Sequence, residues 1–141
     1  MRLVLIAIAL VGCASEPCPN NPCPEEALVV TLDHAWTAGS HAFSIDVDGT
    51  VYDCTITLPT SNVDLQYCGG DGRARITFDG DGNPSDIVIG DMETEAVTVS
   101  ISLAGAPVAD ALPVEFAWDK TYPNGPGCPP ACYSSATSLT F

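Results

Sequence analysis

The chain has 141 residues, of which 18 are Asp or Glu and 4 are Lys or Arg, giving a formal charge of -14. That excess excludes nucleic acid and anionic lipid surfaces as charge-driven partners, because both attract positive proteins. The length is that of one domain with a real core, and seven cysteines in such a chain point to an oxidising compartment.

The start divides into basic Met1-Arg2, an apolar run of nine residues from Leu3 to Val11, and Leu10-Val11-Gly12-Cys13, after which Ser15 and Glu16 turn the chain polar. A membrane-spanning helix needs ~20 apolar residues, so the run reads as a signal peptide. Leu-Val-Gly-Cys resembles the bacterial lipobox, in which the cysteine thiol is alkylated with diacylglycerol and the chain is cut before it. The resemblance makes residues 1–12 a lipoprotein signal peptide and Cys13 the lipidated N-terminus. The competing reading is an ordinary secreted protein cut after Ala14. Cysteine parity favours the lipid, since committing Cys13 leaves Cys18, Cys23, Cys54, Cys68, Cys128 and Cys132 as an even set for disulfides. Acyl chains worth ~0.8 kcal/mol per buried CH₂ then anchor the domain to a membrane. Ala14 and Ser15 lack the aspartate that retains many lipoproteins at the inner membrane, so the outer membrane is favoured.

Residues 13–26 hold Pro19, Asn20, Asn21, Pro22 and Pro24 and form neither helix nor central strand, which makes them a tether. Cys18 and Cys23 either close a small local loop or pin this tether to the domain. From residue 27 to 141 period-two alternation dominates. Leu28, Val30 and Leu32 share one face. Phe43, Ile45 and Val47 alternate toward Asp48-Gly49, and Tyr52, Cys54, Ile56 and Leu58 alternate after it. Asp-Gly supplies the positive φ angles of a two-residue turn, so the pair reads as a hairpin. Pro59 ends its second strand. Further strands are expected at 63–67, at 73–78 with Ala74, Ile76 and Phe78 inward, and at 87–89. Three more follow: 95–103 with Val97, Val99, Ile101 and Leu103 inward, 113–118 with Val114, Phe116 and Trp118, and 138–141. No window carries a helical stripe.

Eight or so short strands with Gly, Asp, Asn and Pro between them imply an all-β, antiparallel β-sandwich, Ig-like or related, stabilised by disulfides. The Pro- and Gly-rich segment 122–133 needs its cysteines to give it order, with Cys54 and Cys68 the expected partners of Cys128 and Cys132, although six cysteines permit fifteen pairings.

The lipobox, the Cys-rich tether, Asp53-Cys54-Thr55 after the Asp-Gly turn, Cys68, and the ending Pro-Asn-Gly-Pro-Gly-Cys-Pro-Pro-Ala-Cys together resemble small Cys-rich lipoproteins of myxobacteria and related predatory or soil bacteria. The resemblance implies lineage and location and carries over no active-site residue.

Among chemical constellations the strongest is Asp79-Gly80-Asp81-Gly82-Asn83-Pro84-Ser85-Asp86. Oxygens of Asp79, Asp81, Asn83, Ser85 and Asp86 would form a metal site if they converged on calcium, which takes an oxygen cage. The loop begins like an EF-hand, but Pro84 replaces the glycine at the sixth position and Gly90 stands where a bidentate Glu belongs. A solvated turn uses the same residue types. His34 and His41 with Asp33 or Asp46 have no zinc-ligand spacing, and Trp36 between them is either a carbohydrate platform or a cap on the core. Carboxylate pairs for glycoside chemistry are certain to exist among eighteen acids and so signify nothing. No nucleophile elbow, phosphate loop or cofactor fingerprint is present.

These features lead to the expectation of a non-enzymatic, outer-membrane lipoprotein acting as a structural, adhesive or recognition module. It would meet the membrane through its lipid, with a protein or glycan as its other partner, and would need no cofactor. The alternatives are a calcium-dependent binding domain and a small cell-envelope hydrolase.

Overall fold

A computed structural model describes residues 17–61, 64–90 and 94–141. Ten strands make up the described part: β1 (Leu28–Asp33), β2 (Gly39–Val47), β3 (Thr50–Leu58), β4 (Leu65–Cys68), β5 (Ala74–Phe78), β6 (Pro84–Ile89), β7 (Val97–Leu103), β8 (Ala106–Pro113), β9 (Asp119–Thr121) and β10 (Cys132–Thr140). They form two sheets, one ordered β4-β5-β6-β1-β10-β9 and the other β3-β2-β7-β8. The sheets pack face to face as a disulfide-stabilised β-sandwich. No helix among the described residues is long and apolar enough to cross a membrane.

The period-two pattern decides which side of each strand enters the core. Leu28 and Val30 of β1, Ile76 of β5, and Ile87 and Ile89 of β6 are fully buried from one sheet. Phe43, Ile45 and Val47 of β2 and Val99 and Ile101 of β7 meet them from the other, with Tyr52, Ile56 and Leu58 of β3 beside them. Burying one such aliphatic side chain contributes about 1.5–3 kcal/mol. This row of alternating residues is therefore the main source of stability.

The β2–β3 hairpin turns at Asp48-Gly49, whose φ angles are 53° and 84°, and Val47 pairs directly with Thr50 across it. Two consecutive positive φ values identify the tight turn that suits the right-handed twist of the strands. A second such turn, Ala104-Gly105 with φ of 48° and 85°, joins β7 to β8. The expected strands at 63–67, 73–78 and 87–89 correspond to β4, β5 and β6, with Val63 lying outside the described residues.

Two expectations about strands require correction. Of the segment expected as a strand at 113–118 only Pro113 lies in a ladder, as the last residue of β8, and 114–118 form no strand. Val114 is still buried, with Phe116 and Trp118 packed on the core. The neighbouring strand holds this segment with hydroxyls rather than amides: Ser135 Oγ donates to Ala117 O at 2.7 Å and Thr137 Oγ1 to Glu115 O at 2.9 Å. The second correction is that the sandwich is not wholly antiparallel, because β1 and β10 pair in parallel from Leu28↔Ser135 to Asp33↔Thr140.

That parallel pair governs the disulfides. Because β1 and β10 run side by side in one direction, the segments preceding them emerge at the same end of the sheet. The tether before Leu28 and the Pro-rich segment before Ser135 therefore lie next to each other, and Cys18 bonds Cys128 while Cys23 bonds Cys132. Cys128 and Cys132 thus do not reach Cys54 and Cys68, which bond each other across 14 residues and tie β3 of one sheet to β4 of the other. Asn124, itself buried, completes the join. Its Oδ1 accepts the Asn21 amide at 2.8 Å, and its Nδ2 donates to Asn21 O and Pro129 O.

Candidate functional site: a groove across the four-stranded sheet

The acidic turn that looked like a calcium loop is used locally. Asp79 Oδ1 accepts the amides of Asp81 and Asn83 at 2.9 and 2.8 Å. These donors, Asn83 foremost, hold its carboxyl below the ordinary carboxylate range. Asp86 lies on β6 and accepts from Thr31 Oγ1, Ser85 Oγ and Thr77 Oγ1 between 2.8 and 3.1 Å. The five oxygen-bearing residues thus split into a self-capped turn around Asp79 and a hydroxyl network around Asp86. Among the described residues no three His, Cys, Asp or Glu side chains gather where they could hold a metal ion.

The histidines also act in packing. His34 stacks on Phe141 at 4.5 Å between centroids, with its Nδ1 2.8 Å from Phe141 O. Trp36 meets His34 edge-on at 4.9 Å and His41 at 5.4 Å. It is half-buried and packs on Phe43, so it caps one end of the core. Cys13 lies outside the described residues.

The strands do build a concave surface that the sequence reading did not identify. A groove of about 280 Å³ crosses the outer face of the four-stranded sheet from Asp53 on β3 to Asp110 on β8. Register explains its shape. Asp53 pairs with Ser44, and Ser44 with Ser100, while Thr55 pairs with Ala42, Ala42 with Ser102, and Ser102 with Pro107. Along the groove the two central strands therefore present only Ala42, Ser44, Ser100 and Ser102, and the floor sinks between larger flanks.

At its β8 side the floor meets an irregularity. Val99 pairs with Leu112 and Ile101 with Ala109, so Ser100 faces both Asp110 and Ala111. Ala111 has φ of 46° and donates its amide to Ser100 Oγ at 3.0 Å. Such a bulge adds a residue and redirects its neighbours, and here Asp110 becomes part of the groove wall.

Charge distinguishes this groove from a second hollow, of about 370 Å³, on the outer face of the six-stranded sheet. That second hollow contains its own ion pair, Arg75 with Glu25. In the first, Asp53 and Asp110 have no cation opposite them among the described residues. Arg73 pairs with Asp48, and Lys120 Nζ sits 5.3 and 5.7 Å from the ring centroids of Tyr122 and Tyr133. The outward Ser44, Ser100 and Ser102 were legible as small polar positions in alternating strands. That β2 and β7 are neighbours, which turns these positions into a floor, is a fact of topology. Comparison with protein-family models, with curated proteins and with solved structures finds no match.

Proposed function

We propose that this protein is a lipid-anchored recognition module of the cell envelope, without enzymatic activity of its own, held at the outer membrane by an acylated Cys13. The observation that carries the reading is the double bridge between tether and body, Cys18–Cys128 and Cys23–Cys132. Disulfides of this kind persist outside the cytoplasm, in agreement with a signal peptide ahead of Cys13. The bridges also give the lipid reading a mechanical sense. Five residues lead from Cys13 to Cys18, and a chain of that length spans at most about 18 Å. Without the bridges the whole of 13–26 would separate lipid from domain. The bridged tether instead keeps the sandwich close to the membrane while both outer sheet faces remain open to partners. The likeness to myxobacterial-type lipoproteins supports the same setting.

Cell fractionation of the wild type and of Cys13→Ser tests the anchor. The expected result is wild-type protein in the outer-membrane fraction and the variant either unprocessed or released. Recovery of both chains in the outer-membrane fraction, cut at the same position, would contradict the proposal.

A further inference from the structure

We propose that the groove across the four-stranded sheet binds an extended oligoamine, a flexible chain carrying ammonium groups at both ends. The proposal rests on the recognition reading above and narrows it to one face and one ligand chemistry. Three features of the groove lead there.

The first is its linear order. Asp53, Ser44 and Ser100 lie in one register row across β3, β2 and β7, and the bulge places Asp110 opposite Ser100 on β8. Carboxylates thus end a row whose middle is two hydroxyls. At about 4.8 Å per strand, Asp53 and Asp110 stand roughly 14 Å apart at their backbones. A ligand spanning them must be long and thin, with a cationic donor at each end and a slender middle.

The second feature is the floor. Ala42, Ser44, Ser100 and Ser102 offer no aromatic face, so a sugar ring or a planar base has nothing to stack upon. A methylene chain interrupted by an amine fits small residues and hydroxyl acceptors. The volume, about 280 Å³, suits a small ligand and is at the low end for drug-sized molecules.

The third is charge. Neither carboxylate is answered by a cation among the described residues, and the chain as a whole carries -14. The field of the protein therefore attracts cations toward a groove already ended by acids. Ammonium-to-carboxylate hydrogen bonds are charge-assisted and stronger than neutral ones. The bulge at Ala111 keeps Asp110 at the rim by holding an alanine in backbone space where L-residues are uncommon.

The test uses the mature chain, purified with its disulfides intact from whichever cell fraction holds it, and spermidine as the probe. Calorimetric titration is run at about 0.15 M salt to screen bulk attraction. Wild-type protein is expected to bind with saturation at one site. Asp53→Asn and Asp110→Asn should each weaken binding about tenfold, whereas Asp81→Asn, which removes the same charge from the distant acidic turn, should change it less than twofold. Propylamine, with one ammonium group, should bind at least tenfold more weakly than spermidine. Melting curves of the variants confirm that each remains folded. Absence of saturable binding to folded wild type, equal weakening by Asp81→Asn, or equal affinity for propylamine would each overturn the proposal. None of these outcomes bears on Cys13, so the anchor stands or falls separately.

Discussion

At the tip of the β2–β3 hairpin, Asp48 both shapes the turn and joins it to the rest of the sandwich. Its backbone takes positive φ, and its carboxylate Oδ1 accepts the amides of Glu95 and Ala96 at 2.9 and 2.8 Å. Arg73 adds a contact at 3.4 Å. Burial works to raise the carboxyl, but the amides of Ala96 and Glu95 and the Arg73 charge outweigh it and hold the group below its ordinary 3.8. A carboxyl lowered on folding gives stability that is present above the unfolded value and lost as pH falls through the folded one. Asp48→Asn keeps the shape and removes the charge. It is expected to lower stability by about 1 kcal/mol at neutral pH, a modest figure because the side chain is 31% exposed. Below pH 4 the gap between variant and wild type should close, as denaturant melts at several pH values would show; a gap constant down to pH 2 would contradict the charge argument. Ala104 and Ala111, with φ of 48° and 46°, make a separate case. Left-handed backbone disfavours alanine by roughly 1–2 kcal/mol and glycine hardly at all. Changing either to Gly should therefore stabilise the fold by about 0.5–1 kcal/mol after glycine's larger unfolded-state entropy is counted. A loss of stability in both variants would show that the alanine methyls make contacts outweighing the strain.

Among the elements, β1 and β10 determine the cross-linking, and their pairing produces a testable non-additivity. A bridge across about 110 residues restricts the unfolded chain by roughly 5 kcal/mol. Once one of the two is closed, the other closes only the short stretches 18–23 and 128–132, a ring of about ten residues worth roughly 2–3 kcal/mol. Replacing either cysteine pair by alanine should therefore cost about 2–3 kcal/mol, while replacing both should cost about 7, more than the two singles combined. Chemical denaturation of the three variants measures this, and strictly additive losses would refute it. The same elements show how far the sequence could be read. Alternation placed β1, β2, β3, β5 and β7 and their inward faces, because one buried and one solvated side leave a period-two record. It missed β8, whose Pro107, Ala109, Ala111 and Pro113 have low strand preference and suit only an edge. It read 113–118 as a strand because apolar Val114, Phe116 and Trp118 alternate there, whereas past Pro113 hydroxyls of Ser135 and Thr137 hold the segment in place of a ladder with β10. The parallel pairing of β1 with β10 leaves no local trace, so the cysteine partners and the groove floor, which depend on which strands are neighbours, were beyond it.

For the whole molecule, charge and covalent structure act together. Two of its cations are engaged in ion pairs, Arg73 with Asp48 and Arg75 with Glu25 of the tether. Lys120 rests against Tyr122 and Tyr133, whose hydroxyls raise its ammonium above the usual lysine value. The other charged side chains of the described residues are acidic, and a net charge of this size repels other copies of the chain. Under the proposed anchoring at Cys13, membrane affinity would come from the acyl chains, at ~0.8 kcal/mol per buried CH₂, and not from the surface charge. Intact mass of the membrane-extracted chain, measured before and after reduction, tests this account most directly. The account predicts a chain beginning at Cys13, carrying added acyl mass, and gaining two hydrogens for each of three disulfides on reduction. A mature chain that begins elsewhere and carries no acyl mass would contradict it.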